Sequence, residues 1–102
     1  MTMLSYKKKA SSATTGEGAA IKILSNINRY AIMKLILNAK NDYCVHELSE
    51  AMGISQSATS HQLAYLEARG AVKSIRTGKT KCYVPTNSPL TRKIFIVINS
   101  LK

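Results

Sequence analysis

Five polar, uncharged side chains stand close together in the middle of the chain: Gln56, Ser57, Ser60, His61 and Gln62. In a helix the first four of these positions share one face over two turns, and the fifth lies at its edge. Gln can bond to adenine, Ser can bond to bases or phosphates, and a helix amino end attracts phosphate. A solvated helix face is normally rich in Lys and Glu, which favour helix more than Ser does. The face therefore predicts contact with DNA, and a plain polar surface on a small helical domain is the alternative.

A single helix over residues 54–70 is predicted to hold this face. Ser55 is a suitable N-cap, because its hydroxyl can accept a hydrogen bond from an amide of the first turn. Gly70 suits the left-handed position that follows a helix. The predicted buried stripe consists of Thr59, Leu63 and Leu66, with Ala58 and Tyr65 beside it.

A shorter helix is predicted just before it. The apolar residues of the segment 45–52 recur at helical spacing, and Gly53 and Ile54 then suit a tight turn. A short helix, a glycine turn and a second helix with a polar leading face form a helix-turn-helix.

The chain from Ser55 to Val72 resembles one protein family closely. It reads Ser-Gln-Ser-Ala-Thr-Ser-His-Gln-Leu at 55–63 and Leu-Glu-Ala-Arg-Gly-Ala-Val at 66–72. Together with the helix before it, this pattern resembles the ArsR/SmtB family of bacterial and archaeal winged-helix repressors, and the resemblance covers residues 24–84. It implies a winged helix-turn-helix fold and a homodimer formed through terminal helices. It also implies a sequence-specific repressor whose two recognition helices enter successive major grooves of a palindromic operator.

A β-hairpin is predicted within residues 72–84, where two runs with β-branched residues flank Gly78 and Lys79, a pair suited to a type II′ turn. In that register Arg76 faces Lys81 on the outer side. Like charges opposite each other destabilise a hairpin, and a phosphate between them would relieve the repulsion. We therefore expect Arg76, Lys79 and Lys81 to bind the DNA backbone as the wing. A solvated hairpin is the alternative.

The charge of the whole chain favours a polyanionic partner such as double-stranded DNA. There are 15 Lys and Arg against 5 Asp and Glu, a formal net charge of +10, and no acidic residue follows Glu67. General basicity that serves solubility is the alternative. The 102 residues fit one domain and contain no apolar run long enough to cross a membrane. No apolar stretch follows Lys7, Lys8 and Lys9, so a secretory signal is not predicted and we expect a cytoplasmic protein.

The domain plan follows from these segments. Residues 1–15 are small, polar and basic and are expected to form a flexible arm, followed by a winged helix-turn-helix domain at 16–102. The predicted fold is mainly α with a small β-hairpin wing, in the order α-α-(short β)-α-α-β-β-α. Asn28 is predicted to cap the second helix, with Ile27 and Ile32 placed for a hydrophobic staple.

The last helix is predicted to begin at Ser88 and Pro89, as cap and first residue. It contains a run of consecutive apolar residues at 94–98, which covers every face of a helix. A terminal helix cannot bury all faces within so small a monomer. The run therefore predicts a homodimer interface formed with the first helix, as the resemblance also implies. Because the run is rich in β-branched residues, a strand there is the alternative.

Cys44 and His46 are the candidate pair of metal ligands, since a soft metal accepts thiolate and imidazole. In metal-sensing members of the resembled family, this position carries a Cys-x-Cys or Cys-x-Asp/His pair. Two ligands do not make a site, and the final helix lacks the Asp and His residues of the family's other site. No metal is therefore predicted. A metal-responsive repressor using Cys44 and His46 is the alternative, and the sequence specifies no inducer.

The second cysteine, Cys82, is predicted to face Ile75 in the hairpin and to act as a small core residue. A redox role with Cys44, in a very short edge strand, stays open, although no resolving partner is predicted near either cysteine. Two cysteines are too few for a disulfide framework. The chain shows no catalytic constellation and no phosphate loop, so neither an enzyme nor a cofactor is predicted. A winged helix that docks on another protein is the competing functional class.

Overall fold

The computed structural model describes residues 17–40 and 42–101, so the predicted arm at 1–15 lies outside the described residues. The elements in chain order are α1 Glu17–Leu24, α2 Ile27–Leu37, β1 Tyr43–Cys44, α3 Val45–Met52, α4 Gln56–Ala68, β2 Val72–Thr77, β3 Thr80–Pro85 and α5 Pro89–Ser100. Within these ranges the helices and the three-stranded sheet follow the predicted order and confirm the fold class. No helix in the described ranges is long and apolar enough to cross a membrane.

The ends of α4 are set by the residues that the sequence indicates. Ser55 is extended (φ −68°, ψ 158°), and its Oγ accepts a hydrogen bond from the Ala58 amide at 3.0 Å. Gly70 follows the helix with a φ of +80°, a conformation that residues with a Cβ rarely adopt. Gly53 has a φ of +70° at the turn between α3 and α4. The predicted cap, glycine turn and left-handed residue are confirmed.

The start of α2 differs from the prediction. Asn26, and not Asn28, is the N-cap, because its Oδ1 accepts from the amides of Asn28 and Arg29 at 2.9 and 3.2 Å. Ile27 therefore lies inside the first turn, is 74% exposed and does not form the predicted staple with Ile32. The helix therefore begins two residues earlier than predicted, and only Ser25 and Asn26 separate it from α1.

The sheet has the strand order β1-β3-β2 with antiparallel pairing. In the hairpin, Ile75 pairs with Cys82 and Arg76 pairs with Lys81, which is the predicted register. Gly78 has a φ of +66° and the residue after it does not have a positive φ, the combination of a type II′ turn. The edge strand β1 pairs with β3 over two residues, as expected of a very short strand.

The core is built around α2, whose residues Ile32, Met33 and Ile36 are buried. The other elements add further fully buried side chains, namely Ile23, Leu48, Leu63, Leu66, Val72, Ile94 and Ile98. This arrangement confirms the central position predicted for the second helix and gives α4 a rigid base.

The last element, α5, is helical along its whole length, so the strand alternative for its apolar run is wrong. Ile94 and Ile98 are buried one turn apart, whereas Phe95, Ile96 and Val97 between them are 44%, 65% and 37% exposed. The helix period explains the difference, because only one stripe of the run can pack on the body, where α5 meets α1.

Three hydroxyl groups fix the start of α5 to the end of α4. Thr86 Oγ1 donates to the carbonyl of Gly70 at 2.6 Å. The buried Thr91 Oγ1 donates to the carbonyl of Ala71 at 3.1 Å, and its amide donates to Ser88 Oγ at 3.2 Å. These bonds set the position of the polar face of α4 relative to the exposed apolar face of α5.

Candidate nucleic-acid interface

The outer side of the first two turns of α4 carries a polar surface that we call the recognition face. Its members are Gln56, Ser57, Ser60 and His61, all exposed, and Gln62, half-buried at the edge. The opposite stripe of the helix is buried through Thr59, Leu63 and Leu66. Ala58 was expected beside the buried stripe but is exposed, although the next residue, Thr59, is buried.

The amino end of α4 carries no acidic residue in its first turn. The partial positive charge of that helix end is therefore not offset by a carboxylate. A helix end of this kind attracts phosphate and other anions. The recognition face thus lies next to a helix end that can bind a phosphate of the DNA backbone.

Gln56, the first residue of α4, is held by a side chain of α3. Gln56 Nε2 lies 3.0 Å from His46 Nδ1, and His46 Nε2 lies 3.3 Å from Glu50 Oε2. His46 Nδ1 can accept from the Gln56 amide when the imidazole proton is on Nε2, where it faces the Glu50 carboxylate. The contact turns the amide nitrogen of Gln56 toward α3. Sequence reasoning paired His46 with Cys44 and missed this contact, which depends on the angle between two helices.

Gln62 is tied to the body of the protein through Arg29. Arg29 Nη1 donates to Gln62 Oε1 at 3.4 Å, and the guanidinium carbon lies 4.1 Å from the centroid of the Tyr65 ring. Arg29 also donates to the carbonyls of Ile23 and Lys22, each at 3.2 Å, at the end of α1. Arg29 was not predicted as a site residue, and it braces α4 against the first two helices. Gln62 is accordingly less available to a ligand than the exposed members of the recognition face.

The wing, formed by β2 and β3, presents three exposed cations: Arg76, Lys79 and Lys81. Arg76 and Lys81 are direct cross-strand partners, as predicted. Among the described residues, the ion pair found is between His46 and Glu50, so none of the three wing cations is paired with a carboxylate there. Like charges placed opposite each other repel, and an anion between them would relieve that repulsion.

The two cysteines form a disulfide bond between β1 and β3, with the Cα atoms of Cys44 and Cys82 3.8 Å apart. The expectation that neither has a partner nearby is therefore wrong, because the register of β1 puts Cys44 directly opposite Cys82. Local spacing could not show this contact, since the two are separated by 38 positions. In this state Cys44 offers no thiolate to a metal. Among the described residues, no group of three or more His, Cys, Asp or Glu is placed to hold a metal ion.

A short helix, a glycine turn, a second helix with an exposed polar face and a basic hairpin together define a winged helix-turn-helix protein. Residues 27–74 match the family described as bacterial regulatory protein, arsR family. Over 68 residues the chain is 34% identical to ArsR2 of Halobacterium salinarum, a protein named for repression of an arsenical resistance operon; this covers 67% of the chain and 57% of that protein. Over 60 residues it is 37% identical to the transcriptional repressor SmtB homolog of Synechocystis, covering 59% of the chain and 44% of that protein. The chain thus spans about half the length of these relatives.

Solved structures are similar over nearly the whole chain. HlyU from Vibrio cholerae has a TM-score of 0.72 at 27% identity, covering 91% of this chain and 95% of that one. The transcriptional repressor BigR from Xylella fastidiosa has a TM-score of 0.72 at 27% identity, covering 99% and 93%. The chain belongs to the ArsR/SmtB family of winged helix-turn-helix regulators. Its family and fold are those of transcriptional regulators and not of enzymes.

Proposed function

We propose that this chain binds double-stranded DNA in a sequence-specific manner and acts as a homodimeric repressor at a palindromic operator. The observation that carries the proposal is the uncharged recognition face, on a helix whose first turn has no acidic residue, beside a wing whose cations form no ion pair with the described carboxylates. Duplex DNA offers both matching partners, base edges in the major groove and phosphates beside it. Family membership supports the same function.

Within the recognition face, the exposed side chains are the proposed readers of sequence: Gln56, Ser57, Ser60 and His61. Their polar groups project from the first two turns, the part of a recognition helix that reaches base edges. Gln62 has a smaller role, since its Oε1 already accepts a hydrogen bond from Arg29. It helps to hold α4 in place and contacts DNA only at the edge of the face.

The wing is the proposed backbone clamp. Arg76 and Lys81 lie side by side on its outer surface, and Lys79 stands in the turn between their strands. Cations of this kind bind phosphates irrespective of sequence and release counterions from the DNA. The wing should therefore contribute affinity and salt dependence, while the recognition face contributes the choice of sequence.

The exposed apolar surface of α1 and α5 is the proposed interface between two copies. Phe95, Ile96 and Leu101 are 44%, 65% and 65% exposed, and Ile21 on the neighbouring α1 is 69% exposed. Contiguous apolar surface on a small domain marks a site of association. A two-fold interface would place two α4 helices for the two halves of a palindrome. A regulator of this kind works where the chromosomal DNA is, so we propose a cytoplasmic location.

The test is a titration of the purified protein against the DNA upstream of its own gene and against a scrambled duplex of the same length and composition. We expect the upstream duplex to bind about a thousandfold more tightly or better, with both affinities falling as salt rises. Equal affinity for the two duplexes would contradict sequence-specific reading. Failure to bind either duplex at low salt would instead favour a winged helix that docks on another protein.

A further inference from the structure

The disulfide bond joins the two parts of the proposed DNA interface. Cys44 directly precedes α3 and is its N-cap residue, and Cys82 follows Lys81 in the wing. His46, two positions after Cys44, contacts Gln56 of the recognition face. The bond therefore connects the helix-turn-helix to the wing at a single point.

The other attachments of the wing lie at its base, where Val72 and Tyr83 are buried in the core, and at the two edges of the hairpin. On this side, β1 and β3 share only the pairs Tyr43 with Tyr83 and Cys44 with Cys82. On the other side, Ser74 Oγ donates to a carboxylate of α4 at 3.0 Å. Without the disulfide, the wing is joined to the segment that leads into α3 by this two-residue ladder and by the packing at its base.

We propose that Cys44 and Cys82 are a reversible redox site that reacts with a hydroperoxide and thereby sets the affinity for DNA. The inference rests on the proposed function, because a protein that binds chromosomal DNA works in a compartment where thiols are kept reduced. A disulfide in such a compartment is usually transient or redox-sensing. The chain has no third cysteine, so oxidation within one chain has a single disulfide product.

The reaction is a two-electron oxidation of two thiols. Cys44 is half-buried whereas Cys82 is 2% exposed, so the oxidant meets the Cys44 thiolate first. An S–O bond forms as the O–O bond of the hydroperoxide breaks, which leaves a sulfenic acid on Cys44 and releases an alcohol, or water when the oxidant is hydrogen peroxide. The Cys82 thiol then attacks the Cys44 sulfur, the S–O bond breaks and water leaves. Together the two thiols lose two electrons and two protons, and a dithiol reductant reverses the change by thiol–disulfide exchange.

The effect on DNA binding depends on how much conformational freedom the wing has before it binds. The disulfide holds the wing in one position relative to α3, so little freedom is lost when the wing meets the backbone. In the reduced protein the wing regains freedom that binding must remove. We expect the reduced protein to bind the duplex about three- to tenfold more weakly than the oxidised protein.

The experiment compares the two redox states of the full chain. The protein is reduced, freed of reductant, and treated with one equivalent of hydrogen peroxide, and each form is titrated with the DNA upstream of its gene and with a scrambled duplex. We expect alkylation to detect two thiols before treatment and none after it, with a fall in Kd of about three- to tenfold that a dithiol reductant reverses.

Two variants distinguish the effect of cysteine oxidation from the effect of oxidising other residues. Cys44→Ala and Cys82→Ala keep every methionine of the chain, and each should stay at the reduced affinity before and after peroxide. Cys82 is buried, so its variant can lose stability, and the unmodified protein in its two states makes the comparison without any substitution.

Three outcomes would overturn the proposal: no intramolecular disulfide after peroxide, equal affinity in the two states, or a response that Cys44→Ala retains. Failure of the proposed DNA-binding function would give a different result from failure of the redox site. The thiols would then oxidise as expected, but neither form would prefer the upstream duplex, which would overturn the DNA-affinity part of the proposal with it.

Discussion

His46 Nδ1 lies 3.0 Å from Gln56 Nε2, so the helix before the recognition helix orients the first side chain of the recognition face. An amide reads adenine through both its oxygen and its nitrogen, and the two atoms must point the correct way. His46 is itself turned by Glu50, whose Oε2 lies 3.3 Å from the other imidazole nitrogen. If Gln56 reads a base as proposed, residues on α3 therefore influence that reading.

Replacing His46 by Ala should reduce discrimination at the base pair that Gln56 reads. We expect a loss of about three- to tenfold in preference at that position, a part of the discrimination that a bidentate contact supplies. The measurement is a competition between the operator and duplexes that carry single base-pair changes. Glu50→Gln removes the charge but keeps an oxygen that can accept from His46 Nε2, so the Gln56 contact and most of the preference should be retained. Unchanged discrimination in His46→Ala would show that the contact does not orient Gln56 on DNA.

Replacing both Arg76 and Lys81 by Ala should flatten the salt dependence of binding. If each cation neutralises one phosphate, the slope of log affinity against log salt should decrease in magnitude by about 1.8. The matched control is Lys34→Ala with Arg92→Ala, which removes the same charge from exposed positions on α2 and α5. The slope should change little in that control. A similar change in both pairs would mean that net charge, and not the wing, sets the slope.

An acidic residue on the exposed face of α5 should separate the proposed dimer. Ile96 is 65% exposed in the single chain, and Ile96→Asp would bury a charge in the interface. We expect a monomer by sedimentation equilibrium, together with loss of tight operator binding. Asn87→Asp adds the same charge at an exposed position outside α1 and α5 and should remain dimeric. A dimeric Ile96→Asp protein would place the interface elsewhere.

Reduction of the Cys44–Cys82 bond should lower the free energy of unfolding. For cysteines separated by 38 positions, the chain-entropy model gives a loss of about 4 kcal/mol. Denaturant titrations with and without a dithiol reductant measure the difference. In Cys44→Ala the reductant should have no effect, and an equal loss there would trace the change to something other than the disulfide.

Much of this fold follows from local sequence signals. The type II′ turn at Gly78 sets the hairpin register, so the pairing of Arg76 with Lys81 could be predicted without a structure. The cap at Ser55 and the left-handed Gly70 likewise depend on single residue types with one strong preference.

The features that the sequence did not predict are of two kinds. In one, two residues suit the same position equally well; in the others, the contact joins separate elements of the fold. Asn26 and Asn28 are equally good cap residues by type, and the sequence alone does not show that Asn26 takes this position. The bond between Cys44 and Cys82 requires β1 to pair with a strand far along the chain. His46 meets Gln56 only because α3 and α4 cross at a particular angle. The spacing of nearby residues therefore predicts neither the choice of cap nor these two contacts.

The most direct test of the account is the binding of His61→Ala to the operator and to a scrambled duplex. His61 is exposed in the second turn of α4, on the recognition face. We expect the affinity for the operator to fall roughly tenfold or more while the affinity for the scrambled duplex changes little, because a base contact carries sequence information and a phosphate contact does not. An equal loss for both duplexes, in a variant whose thermal unfolding matches that of the unmodified protein, would contradict the claim that this face reads bases.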